Sequence, residues 1–290
     1  MPLWVHEWVV APLAVALALR HAVRALGTGR AVLELAALAG YGFALEWVAM
    51  AVFASHRYSG SWTLAPAGVP VAIAVVWAAV ITSAMALAVR TGARAPVHRA
   101  ALAAAIGIAL DLLMEPVAVR LGLWEWTPRG PWLDVPLGNF VGWAVIVGGY
   151  TYGAERWAHR GAFAADAARR AALGAAAIGA LVGIGLVWTH AGAERLFEGG
   201  RGWLGWAILA AAAPLLAAAR SVRAPTEPTL ASRLGETPGR EPLAVVGLVG
   251  AAFAADAIAL GAGPVLLVAA GSMLALTLTL SRRERVARVS

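Results

Sequence analysis

The sequence contains no cysteine and no lysine, and it has few charged residues of either sign. Without cysteine there is no disulfide framework, no thiolate nucleophile and no cysteine-ligated metal. Charged residues make up 13% of the 290 residues, whereas soluble domains carry roughly 25%. Hydrophobic residues make up 61%, and the mean hydropathy is +0.74. So little polar surface cannot cover a water-exposed globule, which excludes a soluble enzyme.

Long apolar runs take the place of the missing charge. They number nine, each close to the ~20 residues that cross a bilayer, and occupy residues 8–26, 31–54, 69–89, 100–119, 137–154, 171–189, 203–219, 243–260 and 264–281. Because lipid cannot satisfy open backbone groups, such spans must be helices. The sequence therefore predicts an all-α, polytopic membrane bundle of about nine transmembrane helices.

We expect this bundle to form a single integral-membrane domain over residues 1–290. Its motif-bearing core covers about residues 31–154, and its C-terminal helices cover residues 243–281. Between them, residues 220–242 are rich in proline and are predicted to form a flexible linker.

All 23 basic residues are arginine, and they are unevenly divided between alternate loops. With nine spans, 18 arginines fall on one side of the membrane and five on the other, and the positive-inside rule puts the richer side in the cytoplasm. We therefore predict an outside N-terminus, a cytoplasmic C-terminus and a multi-pass location in the cell membrane. Nucleic-acid binding is not expected, because the arginines occur singly or in pairs between apolar runs.

Acidic side chains inside the predicted spans are the main candidates for function, since an ionisable group at membrane depth is costly. Glu46 in the second span and Asp111 and Glu115 in the fourth span lie in the outer half of the bilayer. Asp256 in the eighth span lies at a similar depth. Asp111 and Glu115 are four residues apart, so their carboxylates share one helix face. They cannot both ionise cheaply there, and a protonated carboxyl beside a carboxylate forms a general acid and an ion stabiliser. The alternative is a structural polar cluster with Arg120 as its neutralising partner.

The segment after this pair is rich in aromatic and turn residues. Pro116 is expected to kink the helix and free the carbonyl of Leu112. Trp124 and Trp126 are two residues apart and face the same way in an extended chain. The segment is therefore predicted to cap a cavity with aromatic walls, and anchoring at the membrane interface is the alternative for its tryptophans.

The start of the fifth span adds two more candidates. Asn139 lies at the same outer level, with Trp143 one turn deeper, and Asn139 either belongs to the site or caps the helix. The histidines on this side, His6, His56 and His190, lack the spacing of a metal site. No phosphate- or nucleotide-binding motif is present, so neither a metal nor a cofactor is expected.

Together these residues resemble the integral-membrane carotenoid biosynthesis protein family, whose characterised members are carotenoid 1,2-hydratases, including bisanhydrobacterioruberin hydratase. The resemblance is carried by Tyr41, Gly42 and Glu46, by the run 111–118, by the turn 122–126 and by the run 135–143. It is concentrated in residues 40–145, and elsewhere the match extends only to a series of apolar helices.

The resemblance implies a cofactor-independent hydratase that adds water across the terminal 1,2 double bond of an acyclic carotenoid end group, giving a tertiary alcohol. The expected substrate is lycopene-like or resembles the C50 bisanhydrobacterioruberin. One member of the Asp111–Glu115 pair is expected to donate the proton and the other to stabilise the cation, while Glu46 or Asn139 holds the water. The residues expected to bind the substrate are Trp124, Trp126, Asn139, Trp143, Tyr41 and Trp47.

Other functions remain open at this level. Membrane prenyltransferases also carry paired acidic residues on helices, but they need two such motifs to bind diphosphate through magnesium, and only one is visible. A proton-coupled transporter also uses membrane carboxylates, although no convincing internal repeat is present. A carotenoid-binding scaffold would have the same apolar tunnel without catalysis.

Overall fold

The structure is a computed structural model, and it describes residues 1–51, 54–157, 229–261, 263, 266–271, 273–274 and 277. These residues are mostly helical. The helices are α1 (Leu3–Val5), a π-helical turn (His6–Val10), α2 (Ala11–Leu26), α3 (Thr28–Ala51), α4 (Val71–Arg90), α5 (Pro96–Arg120), α6 (Leu137–Trp157), α7 (Leu230–Glu236) and α8 (Glu241–Ala259). Two short strands, β1 (His56–Tyr58) and β2 (Trp124–Trp126), and a 3-10 turn (Pro66–Gly68) lie between them.

Five described helical stretches are long and apolar enough to cross a membrane, namely Leu3–Leu26, Thr28–Ala51, Val71–Arg90, Pro96–Arg120 and Glu241–Ala259. They correspond to predicted spans one to four and eight, and they are the helices of a membrane protein. Helix α6 occupies the fifth predicted span but is not among these five. Predicted spans six and seven lie outside the described residues, as does much of span nine, of which residues 266–271 are helical. The number nine and the orientation stay predictions.

Helix α4 is the centre of the bundle. It packs against α2, α3, α5, α7 and α8, and every residue from 77 to 88 is buried. A helix that is apolar all round is stable only when other helices or lipid cover all its faces. By contrast, Ile258 and Val268 are 70% and 68% exposed, so their side chains are available to lipid.

Charged contacts close one end of the bundle, which we call the arginine end. Arg99 donates from Nη1 to both carboxylate oxygens of Glu155 at 3.0 and 3.1 Å and to the Ser232 hydroxyl at 2.8 Å. Arg90 donates to three backbone carbonyls in residues 235–239 at 2.7 to 3.1 Å. These contacts tie α4, α5, α6 and α7 together.

Strand pairing organises the opposite end, which we call the site end. Strand β1 pairs antiparallel with β2, so that His56 lies opposite Trp126 and Tyr58 opposite Trp124. Because side chains alternate along a strand, these four rings share one side. Further along the loop from β1 to α4, the buried Glu7 carboxylate accepts the backbone N–H groups of residues 63 and 64 at 3.0 to 3.1 Å.

Helix α7 lies so close to α4 that Gly235 has no room for a side chain. A Cβ on Gly235 would lie 2.3 Å from Cβ of Val89. We expect Gly235→Ala to destabilise the protein by about 1–3 kcal/mol, as overpacking does, and to lower its melting temperature in detergent. Gly60→Ala is the control, since a Cβ at this exposed position meets nothing within 4 Å. Equal melting temperatures for the two variants would contradict the tight contact.

Candidate active site

A cavity of about 100 Å³ lies at the site end, between α3, α4, α5 and α6 and beside the paired strands. Most of its wall is apolar or aromatic. Two carboxylates line it, Glu46 from α3 and Glu115 from α5. The Glu115 residue is 5% exposed and the Glu46 side chain 13%, so both acids are largely withdrawn from solvent.

The carboxylate of Glu115 is held by two indoles. Trp124 and Trp126 donate their Nε1–H groups to the same oxygen, Oε2, at 2.8 and 2.9 Å. The extended conformation of β2 makes this possible, because residues two apart on a strand face the same way. Two donors on one oxygen stabilise negative charge there and leave Oε1 for a proton.

Asp111 lies behind Glu115, one helical turn earlier on α5. It is completely buried and is not part of the cavity wall. Its Oδ2 accepts the side-chain N–H of Asn139 at 2.8 Å, whereas within the described part of the chain Oδ1 has no hydrogen-bond partner. The Asp111 and Glu115 side chains also interact, so the two acids form one unit of which only Glu115 faces the cavity.

The carbonyl of Leu112, which Pro116 was expected to free, has a partner from outside the helix. The indole Nε1–H of Trp132 donates to this oxygen at 3.3 Å, while α5 continues through Pro116 to Arg120. The missing proline N–H is thus compensated by a side chain of the segment that follows β2. This contact fastens that segment to α5 beside the carboxylate pair.

The carboxylate of Glu46 interacts with three other rings, those of Trp77, His56 and Tyr58. Trp77 of α4 donates its Nε1–H to Oε1 at 2.7 Å, and Nε2 of His56 lies 3.0 Å from Oε2. The other ring nitrogen of His56, Nδ1, lies 2.9 Å from the Ser55 hydroxyl. Each of these five side chains lines the cavity.

Trp77 and Trp143 form the aromatic wall deeper in the bundle. Their ring centroids are 4.1 Å apart with an angle of 34° between the planes, and both indoles line the cavity. Gly42 on α3 allows Trp77 to approach, since a Cβ there would lie only 2.7 Å from Cβ of Trp77. Indole faces of this kind stabilise a nearby cation.

Tyr58 supplies a neutral hydroxyl that interacts with Glu46 and lies near the charge of Glu115. Burial raises the pKa of this hydroxyl well above its ordinary value, and the charges of Glu46 and Glu115 raise it further. The phenol therefore stays protonated and can only donate or accept a hydrogen bond, not act as a base. Its ring packs edge-on against Trp124 at a centroid distance of 5.7 Å.

Most of the site residues predicted from the sequence lie together around the cavity. Those that line the cavity are Glu46, Glu115, Trp124, Trp126, Asn139 and Trp143. Asn139 lies inside α6, which begins at Leu137, and its side chain binds Asp111. Tyr41 and Trp47 are not in the wall: Tyr41 is buried and donates to the carbonyl of Ile146 at 3.3 Å, and Trp47 is 45% exposed.

Four polar or aromatic residues of the cavity wall were not among the predicted ones: Ser55, His56, Tyr58 and Trp77. The only sequence signal for His56 was that it lies on the same side of the membrane as the acids. Within the described residues, no group of three or more His, Asp or Glu side chains has a metal-binding arrangement. Asp256 belongs to a separate cluster, where its carboxylate lies 2.8 Å from His6 Nε2 and pairs with the Met1 amine.

Comparison with known proteins gives one match. The family model described as "Carotenoid biosynthesis protein" matches residues 6–196, which is more than half of the chain and includes every residue of the cavity. No curated protein and no solved structure matches significantly.

Proposed function

Because the chain belongs to the carotenoid biosynthesis protein family, we propose that it is a carotenoid 1,2-hydratase, acting as a cofactor-independent, multi-pass enzyme of the cell membrane. It adds water across the terminal double bond of an acyclic, lycopene-like or C50 carotenoid and forms a tertiary alcohol. The observation that carries this proposal is the cavity at the site end, where two carboxylates held by indoles face an apolar, aromatic space.

Glu115 is the proton donor in this proposal. Protonation of the alkene at C2 uses the π electrons to form the new C–H bond and leaves a tertiary cation at C1. An acid strong enough for this step needs a well-stabilised conjugate base. The Glu115 carboxylate meets that requirement because two indole N–H groups donate to its Oε2. Asp111 supports it from behind, outside the cavity wall, and is itself held by Asn139.

The cation at C1 is stabilised by its surroundings. Trp77 and Trp143 present indoles to the cavity, and a cation over an indole gains up to about 2 kcal/mol when it is desolvated. The newly formed carboxylate of Glu115 and the carboxylate of Glu46 add direct electrostatic attraction, which is strong in a site of low polarity.

Water attacks C1 from the side of Glu46. The amide of Asn139 already donates to Asp111, so Glu46 is the group better placed to hold the water. The oxygen lone pair forms the C–O bond, and the released proton moves to a base and finally returns to Glu115. The two alkene carbons thus gain one hydrogen at C2 and one hydroxyl at C1, with no net oxidation or reduction.

Only the end group enters the cavity. A carotenoid is far longer than a cavity of about 100 Å³, so most of the polyene lies outside it. Val141 belongs to the cavity wall and is also 42% exposed, so the wall reaches the outer surface of α6. We propose that the polyene leaves the cavity along this surface and lies among the lipids.

Product analysis tests the proposal directly. The full chain is expressed in a host that makes lycopene, and in a second host that makes an acyclic C50 carotenoid, and the pigments are identified by mass spectrometry. We expect carotenoids heavier by one or two water molecules, which are absent from hosts with an empty vector. A mass gain of one isoprenoid unit would favour a prenyltransferase, and co-purified but unconverted pigment would favour a binding scaffold; either result would contradict the hydratase.

A further inference from the structure

We propose that His56 is a positioning residue for Glu46, and that Glu46 held in this way is the base that takes the proton of the attacking water. This inference rests on the proposed hydratase activity. It assigns a role to a histidine that the sequence pattern left without one, and it divides the reaction between two carboxylates on different helices.

Hydrogen-bond accounting fixes the orientation of His56. The Ser55 hydroxyl lies 3.0 Å from the carbonyl oxygen of Ala49 and 2.9 Å from Nδ1 of His56. Because a carbonyl only accepts, the single hydroxyl hydrogen of Ser55 is directed to Ala49, and Nδ1 of His56 is the donor in the second bond. The bond to Ser55 therefore requires a proton on Nδ1 of His56, and it fixes the orientation of the imidazole ring.

The other ring nitrogen of His56 shares a proton with Glu46. Nε2 of His56 and Oε2 of Glu46 are 3.0 Å apart, and two bare acceptors do not approach so closely without a proton between them. Oε2 is therefore engaged with His56, and Oε1 accepts from Trp77 at 2.7 Å. Tyr58 also interacts with this carboxylate. Its two oxygens offer about four acceptor positions, so one remains for a water molecule in the cavity after His56, Trp77 and Tyr58 are counted.

Packing holds this unit rigidly. His56 is 7% exposed, and its ring lies 4.9 Å from that of Trp126, its cross-strand neighbour. Trp126 in turn donates to Glu115. The two carboxylates are therefore positioned by one pair of strands, with Glu46 fixed through His56 and Glu115 fixed through Trp126.

The proposed water step balances as follows. A lone pair of water forms the bond to C1, one O–H bond of that water breaks with its electrons kept on oxygen, and the proton moves to the Glu46 carboxylate. The same proton then passes through cavity water to the Glu115 carboxylate, which regains what it gave to C2. No further reactant is needed.

Oxygen exchange separates the two carboxylates experimentally. In the reverse direction Glu46 protonates the hydroxyl of the tertiary alcohol and water leaves, and the same cation then captures another water without any change at C2. The hydroxylated carotenoid is incubated with purified protein in ¹⁸O-labelled water, and ¹⁸O in the recovered alcohol is measured. Hydration of the alkene is measured in parallel.

We expect Glu46→Gln to lose both reactions. Glu115→Gln is expected to lose hydration but to retain ¹⁸O exchange at a reduced rate, because the cation then lacks the attraction of the Glu115 carboxylate. His56→Ala is expected to slow both reactions about 10²-fold, the effect of misplacing a catalytic group, and added imidazole is expected to restore them. His98→Gln, a histidine substitution near the arginine end, is the control and should behave like the wild type. Melting temperatures in detergent identify any variant that fails to fold, and only folded variants are compared.

The outcomes distinguish this inference from the proposed function. If the wild type forms no alcohol from the alkene, the proposed hydratase function fails. If the wild type hydrates the alkene and a folded His56→Ala protein does so at the wild-type rate, or is not restored by imidazole, the role of His56 is overturned. Loss of exchange in Glu115→Gln as well as in Glu46→Gln would overturn the division between the carboxylates.

Discussion

Replacing Glu115 with glutamine is expected to lower the rate of carotenoid hydration by about 10²- to 10⁴-fold, the usual contribution of a positioned general acid. Glutamine has nearly the same shape and keeps an oxygen that accepts the two indole N–H groups at 2.8 and 2.9 Å. It has no acidic proton to give to C2. The measurement is the fraction of hydroxylated carotenoid formed by membranes that contain equal amounts of wild-type and variant protein.

Glu125→Gln is the matched control for this experiment. Glu125 lies between Trp124 and Trp126 on the same strand, but its carboxylate is half exposed and pairs with Arg57 instead of facing the cavity. Exposed pairs contribute only about 0–1 kcal/mol, so this variant should keep wild-type activity. Full hydration by a folded Glu115→Gln protein would show that the proton comes from another group.

Asp111→Asn is expected to have a smaller effect than Glu115→Gln. Asp111 does not line the cavity, so it acts through Glu115 and not on the substrate. Asparagine keeps an oxygen that accepts from Asn139, the bond seen at 2.8 Å, but it removes the carboxyl that interacts with Glu115. We expect a partial loss of hydration with little change in substrate affinity, measured as product formed at increasing carotenoid content. A larger loss than that of Glu115→Gln would reverse the two assignments.

Local spacing was enough to predict part of this site. Asp111 and Glu115 share a helix face because they are four residues apart, and Trp124 and Trp126 share a strand face because they are two apart. The structure shows both relations, since Asp111 and Glu115 interact and both indoles donate to one oxygen of Glu115. Whether two nearby residues share a face depends only on whether their segment is a helix or a strand.

The sequence pattern could not predict contacts between elements that are distant in the chain. His56 meets Trp126 only because β1 pairs with β2 in one register, and three-residue strands in a chain of apolar helices give almost no sequence signal. Trp77 reaches Glu46 only because α4 packs closely on α3 at Gly42. A tryptophan in the middle of an apolar helix is indistinguishable in sequence from one that faces lipid.

The apolar pattern predicted the long helices better than the segments between them. Five described helices coincide with predicted spans, because a run of about 20 apolar residues has one stable conformation in lipid. Helix α7, a short helix of seven residues at the arginine end, lies inside the segment that was predicted to be a flexible linker. Its order comes from buried contacts: Arg90 binds backbone carbonyls around its end and Arg99 binds its Ser232. Composition alone cannot reveal such tertiary partners.

Gly142→Leu is expected to prevent hydration by filling the cavity. Gly142 lines the cavity, and a Cβ at this position meets nothing within 4 Å, so a leucine side chain would extend into the space proposed for the carotenoid end group. We expect product formation to fall by about 10²-fold, as expected when a substrate is displaced by roughly 1 Å or more. The amount of carotenoid that co-purifies with the protein should fall as well.

The same substitution separates substrate binding from folding. Leucine favours a helix by almost 1 kcal/mol over glycine, so the melting temperature of Gly142→Leu should equal or exceed that of the wild type while its activity is lost. Gly149→Leu is the control, because Gly149 lies two turns further along α6, has the same open surroundings and does not line the cavity. Wild-type hydration by Gly142→Leu would mean that the end group binds elsewhere. Loss of hydration by Gly142→Leu alone would place the end group between α6 and the two carboxylates, where proton donor and water meet the same double bond.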